Sequence, residues 1–138
     1  MKLFLSADME GTCGVVSWPE TERATPMDYA PIQKQMTREV AAACRGALSA
    51  GAEEVLVKDA HDSARNIDAA ELPECIRILR GWTGDPLSMM SGLDRDDYGA
   101  VLFTGYHAWV HPTWRTRCRY ACAPTASARI VQSLALLV

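Results

Sequence analysis

Asp8 and Glu10 stand one residue apart in Leu3-Phe4-Leu5-Ser6-Ala7-Asp8-Met9-Glu10-Gly11, where an apolar run gives way to a glycine-containing turn. Residues i and i+2 of an extended backbone point to the same side, so the two carboxylates are expected to converge. Like charges held that close repel and raise one pKa unless a cation lies between them. Two isolated histidines further along, His61 and His107, are placed to complete a metal shell. Carboxylates combined with imidazoles suit zinc, manganese or iron better than calcium or magnesium, which prefer oxygen shells. In such a set Asp8 could bridge two ions, with Glu10 and His61 completing one and His107 joining the other. A pair of this kind polarises a carbonyl or phosphoryl oxygen. The plainer alternatives are a polar strand end facing water and two histidines satisfied by ordinary hydrogen bonds.

The elements that must position these groups alternate between strand and helix. Residues 2–7 read as a short central strand, and a helix is expected from Asp28, with Ile32, Met36, Val40, Ala43 and Ala47 on one face, ending before Gly51. Residues 53–59 form a second expected strand, 69–72 a brief helix before Pro73, 75–79 a third strand, and 86–93 a short helix or turn. Residues 99–105 are the clearest buried strand. This order predicts an α/β fold with a mostly parallel sheet and flanking helices. Asp8 and Glu10 follow the first strand, Asp59 and His61 the second, and His107 the 99–105 strand. Parallel sheets bind ligands beyond the carboxyl ends of their strands, which is where all five groups fall.

Composition narrows the function classes. A chain of 138 residues makes one domain. A formal charge of −3 gives no nucleic acid reason to bind. No apolar run is long enough for a membrane span, and the first apolar run is too short for a secretory signal. Five cysteines, an odd number at irregular spacing, predict free thiols and a cytoplasmic location. Cys118 and Cys122 lack the partners of a zinc knuckle. Cys13, with no paired histidine, is expected to be a small packed residue.

In Lys2–Gly11 (KLFLSADMEG), Glu54–His61 (EVLVKDAH), Ser91-Gly92-Leu93 and Gly99–Ala108 (GAVLFTGYHA), the chain closely resembles the N-terminal half of the D-aminopeptidases of the DppA type, peptidase family M55. The resemblance implies a zinc-dependent hydrolase with two ions per subunit, which assembles into a ring-like homo-oligomer. Such an enzyme releases N-terminal D-amino acids from short peptides with a free N-terminus. It assigns Asp8, Glu10, His61 and His107 as metal ligands, and gives Asp59 a supporting role in orienting a ligand or a substrate amine. Two rivals stand beside it: a non-catalytic metal-binding or oligomerising remnant, and a dinuclear phosphohydrolase. The latter needs a basic phosphate anchor, for which Lys58 and Arg65 are the candidates if they are not solvated surface groups.

The resemblance fades after residue 107. Residues 1–107 hold 17 acidic and 10 basic residues and all nine glycines; 108–138 hold no Asp, Glu or Gly but four arginines. We therefore divide the chain into an N-terminal α/β metallopeptidase portion, 1–107, and an atypical tail, 108–138. The family pattern continues through a Leu-Ala-His-Thr segment carrying a catalytic or substrate-binding histidine, and later a glutamate ligand; neither stands here. His111, followed by Pro112, is not expected to replace that histidine. The codons of Trp114-Arg115-Thr116-Arg117-Cys118-Arg119, read one base earlier, can spell Leu-Ala-His-Thr-Met-Ser. The tail is thus expected to be out-of-frame translation and the chain an impaired enzyme, shorter than its family, with one zinc ion or fewer. Sequencing the DNA across codons 108–114 is expected to reveal a one-base change whose correction restores Leu-Ala-His-Thr; an undisturbed frame that closes at codon 138 in independent isolates would overturn this.

Overall fold

The computed structural model describes residues 1–107 together with the backbone of 129–132. β1 (Lys2–Ala7) is buried from Leu3 onward, as a strand covered on both faces must be. It pairs in parallel with β2 (Glu54–Asp59) on one side and β4 (Ala100–Thr104) on the other. β3 (Ile76–Leu79) extends the sheet beyond β2, and β5 (Arg129–Gln132) extends it beyond β4, also in parallel. The order is β3-β2-β1-β4-β5. The register sets Ala7 opposite both Asp59 and Thr104. Three strands therefore end at one level, and the residues that follow them meet there. The remainder of the tail, with His111, Cys118 and Cys122, lies outside the described residues.

The helix α1 (Pro26–Ser49) starts two residues before the position expected from apolar spacing. Pro26 occupies its first turn, where a missing N–H costs nothing. The buried stripe runs through Tyr29, Ile32, Met36, Val40, Cys44 and Ala47, with Cys44 fully inward and the expected Ala43 half-buried beside it. Pro31 lies inside the helix and cannot bond the carbonyl of Met27, but Met27 is 91% exposed and that carbonyl can turn to water. α1 covers β1 and β2, packing on Leu3, Leu5, Ala7, Met9, Val55 and Val57.

The opposite face of the sheet carries Phe4, Leu56, Val101, Phe103 and Tyr106. Two 3-10 turns, Ser88–Met90 and Leu93–Arg95, cover it with Met89, Met90 and Leu93. The expected short helix at 86–93 is therefore two turns, broken at Gly92, whose φ of 95° lies in the left-handed region. The brief helix before Pro73 is likewise a 3-10 turn, Ala69–Glu71, capped by the Asp68 carboxylate. β4 differs from its expectation as the clearest buried strand. Val101 and Phe103 are buried while Ala100, Leu102 and Thr104 are half-buried, because α1 sits over β1 and β2 instead. Among the described residues no helix is long and apolar enough to cross a membrane.

Beyond the sheet, the turn after β1 and the turn after β4 touch backbone to backbone. The Asp8 N–H donates to the Thr104 carbonyl at 2.9 Å and the Gly11 N–H to the Gly105 carbonyl at 2.6 Å. A Cβ on Gly11 would fall on the Tyr106 carbonyl, and one on Gly105, whose φ is 66°, on the Asp8 carbonyl. Gly105→Ala is therefore expected to destabilise the protein by more than the roughly 1–2 kcal/mol of a left-handed alanine. It should also lower affinity for divalent metal, because the backbone of Asp8 must move. Denaturant unfolding and zinc titration of the same variant check the two effects; unchanged zinc affinity would show that the Asp8 turn is not set by this contact.

Candidate metal centre

Asp8, Glu10 and His61 come together at the carboxyl end of β1 and β2. One ligand atom from each lies within 4.8 Å of the others. β1 ends at Ala7, and Glu10 sits in a turn closed by the Thr12 N–H on the Met9 carbonyl at 2.9 Å. Even so, strand alternation carries on past the last strand residue: Ala7 and Met9 pack with α1, leaving Asp8 and Glu10 for the cleft. His61 Nδ1 lies 3.2 Å from Asp8 Oδ1 and 3.1 Å from Glu10 Oε2. Its other nitrogen, Nε2, lies 2.8 Å from the Thr21 carbonyl oxygen. A carbonyl only accepts, so Nε2 keeps its hydrogen and Nδ1 is the nitrogen turned to the carboxylates. Two carboxylate oxygens and one imidazole nitrogen suit a zinc ion, so this donor set fits the metal.

The loop bearing His61 is held by a second polar group. Asp59 is fully buried and accepts from Asn66 N–H at 2.6 Å, Asn66 Nδ2 at 2.8 Å and Ile67 N–H at 2.8 Å. Asn66 Nδ2 also donates to the His61 carbonyl at 2.6 Å, and Tyr29 donates its hydroxyl to Asn66 Oδ1 at 2.6 Å. Asp59 therefore acts on His61 through Asn66 and the backbone; its own carboxylate is engaged with the 60–67 loop.

The cleft, about 800 Å³ in volume, is lined by the three clustered residues and by His107, with Trp18, Trp82 and Met89 as apolar walls. His107 shares this space without joining the cluster. Its ring meets Trp18 edge to face, 5.5 Å between centroids and 84° between planes.

The family model for D-aminopeptidases of the M55 type matches residues 1–114. The chain belongs to the M55 peptidase family. It is similar to a D-aminopeptidase of Bacillus subtilis (strain 168), 37% identical over an aligned length of 111 residues, with 78% of this chain and 38% of the relative covered. The solved structure of the Zn-dependent D-aminopeptidase DppA from Bacillus subtilis, described as a self-compartmentalizing protease, superposes with a TM-score of 0.72. It is 33% identical, with 79% of this chain and 39% of that one covered. The M55 chain thus spans about two-fifths of the length of these relatives.

Sequence reasoning placed Asp8, Glu10 and His61 where the M55 chain brings them, but two other expectations change. Lys58 is fully buried, donating to the Gly81 carbonyl at 2.8 Å with its ammonium 4.5 Å from the Trp82 ring centre, so it is no solvated surface group. Burial lowers its pKa. Arg65, the other candidate, is exposed. Cys13 is exposed rather than packed; its N–H is tied to Glu39 at 2.9 Å, and the next residue, Gly14, has a φ of 99°. The part played by Trp18, Thr21 and Asn66 was not foreseen. The Ser17-x-x-Glu20 spacing is a legible turn signal, but nothing in it tells that the turn reaches His61.

Burial pushes the Asp8 carboxyl above the usual carboxylate range, assisted by Glu10 and opposed by the His61 hydrogen bond. Burial acts the same way on Glu10, but hydrogen bonds from His61 and Asp8 outweigh it and hold Glu10 below that range. Burial draws His61 down, yet the hydrogen bonds to Asp8 and Glu10 and the charge of Glu10 prevail, and it is pushed up to about 10. At neutral pH a cation must therefore displace the Nδ1 proton. Zinc affinity is expected to rise by about tenfold per pH unit below the His61 pKa, with about one proton released per ion. Calorimetry in two buffers of different ionisation heat checks the release; none at pH 7 would show that no His61 proton is displaced by the ion.

Proposed function

We propose that this chain carries the zinc-binding part of an aminopeptidase-type hydrolase that releases N-terminal D-amino acids from short peptides. In this reading Asp8, Glu10 and His61 hold one ion and His107 contributes to a second. The observation that carries it is the convergence of Asp8, Glu10 and His61 Nδ1 at the mouth of a cleft in an M55 chain. When bound, zinc supplies Lewis acidity toward a peptide carbonyl. The protein's own groups do the rest. Glu22 and Asp62 line the same cleft as the carboxylate pair, and their negative field suits a free ammonium terminus. Trp18, Trp82 and Met89 offer apolar surface to a substrate side chain.

Zinc as the metal is supported by the Zn-dependent relative, and self-association into a ring-like homo-oligomer by its description as self-compartmentalizing. A cytoplasmic setting is supported by the free thiols of Cys13, Cys44 and Cys75. We further infer that the chain as written is impaired. The family match ends at residue 114, and 108–138 contain no Asp or Glu to supply another carboxylate ligand. On purified protein, elemental analysis is expected to give about one zinc per chain or less, and a D-alanyl amide little turnover. Correcting the frame between codons 108 and 114 is expected to raise both. Full zinc loading with rapid turnover in the chain as written would overturn the impairment; no zinc after frame correction would overturn the metallopeptidase reading.

A further inference from the structure

The 3-10 turn Trp18–Thr21 touches both histidines of the cleft, one with its first residue and one with its last. The Trp18 ring meets His107 edge to face at 5.5 Å, and the Thr21 carbonyl accepts from His61 Nε2 at 2.8 Å. The turn is itself tied down from both sides. A single carboxylate oxygen of Glu20, Oε2, accepts from Val16 N–H at 2.7 Å and Ser17 N–H at 2.8 Å. Thr21 Oγ1 donates to the Trp18 carbonyl at 3.0 Å, and Thr25 Oγ1 donates to the Pro19 and Glu22 carbonyls. Thr21 is buried while Trp18 is half-exposed, so the turn bridges the protein interior and the cleft wall.

We propose that this turn is a clamp that orients both imidazoles, and that Glu20 is its positioning residue. Two consequences follow from hydrogen-bond chemistry alone. His61 carries its hydrogen on Nε2 whenever the clamp is closed, so only Nδ1 can meet a cation. Glu20 acts by geometry rather than charge, because both bonds end on one oxygen that an amide oxygen can replace. The clamp rests on the metallopeptidase reading for its use, though not for its existence.

The test uses the full chain with ring-nitrogen-labelled histidine, which gives three imidazoles to assign. In metal-free protein the His61 Nε2–H is expected to exchange slowly with water in the parent and in Glu20→Gln. In Glu20→Ala it should exchange at least tenfold faster, with the amide spectrum of the sheet unchanged. Trp18→Ala is expected to shift the His107 ring signals and leave His61 as it was. With cadmium-113 as probe, coupling to His61 should appear at Nδ1. Glu20→Ala should bind about 10–100-fold more weakly, the range seen when an outer partner of a metal ligand is lost, and Glu20→Gln should bind like the parent. Unchanged His61 exchange in Glu20→Ala, or Glu20→Gln behaving as Glu20→Ala does, would overturn the clamp. If the parent bound no cadmium the metal reading would fail, and the exchange rates would still decide the clamp.

Discussion

Asp8 and Glu10 are carboxylates withdrawn from water side by side, and the surrounding structure answers that one electrostatic demand. Two unit charges about 4 Å apart interact by about 4 kcal/mol at an effective dielectric of 20, against a typical folding stability of about 5–15 kcal/mol. A repulsion of that size cannot be left uncompensated. His61 meets it from between the two, and its ring is fixed by Thr21 on its far side. The backbone beneath Asp8 is fixed as firmly, by the glycine-to-glycine approach of the turns that follow β1 and β4. Freedom at either point would let the carboxylates drift toward water, and the site would dissolve into a polar loop.

Two further buried charges lie at the end of β2, beside that site, and each is satisfied differently. Asp59 is met by three N–H donors from Asn66 and Ile67, the full hydrogen-bonding that a buried carboxylate requires. Lys58, its neighbour on the opposite face, has one carbonyl and the face of Trp82. The Trp82 ring is pinned in return, since its indole N–H donates to the Asp62 carbonyl at 2.6 Å. A buried lysine is poor value as a stabiliser, and an apolar residue of similar shape is often as good or better. What Lys58 does achieve is to hold one aromatic wall of the cleft in place.

β1 to β4 and most of α1 were legible because their signals are local: β-branched and apolar runs of strand length, and a helix-spaced apolar face; β5 was not, since it falls in the tail that was read as out of frame. The convergence of the three residues was legible because strand alternation and parallel topology both send Asp8, Glu10 and His61 to one end. The turns at 88–95 were read less well, since a 3-10 turn and a short α-helix share the same few residues and differ only in closing one bond earlier. Lys58 stayed open between a phosphate anchor and a solvated group; its burial is set by Gly81 and Trp82, more than twenty positions away. The reach of Thr21 to His61 spans 40 residues through a backbone carbonyl, a group that every residue has and no side-chain pattern marks.

The charge balance of the cluster argues for an ion more strongly than the ligand count does. With both carboxylates ionised and His61 protonated, the site is one unit negative in a buried place. Exchange of that proton for a dication leaves two carboxylates, a neutral imidazole and two positive charges, which sum to zero. A neutral cluster avoids the desolvation cost that a net charge bears away from water. Thr21 makes the exchange possible without rearrangement, because the leaving proton is the one on Nδ1 and the bond at Nε2 stays closed. His107 bears no such strain. Half-buried and edge-on to Trp18, it lies outside the group that Asp8, Glu10 and His61 form among the described residues.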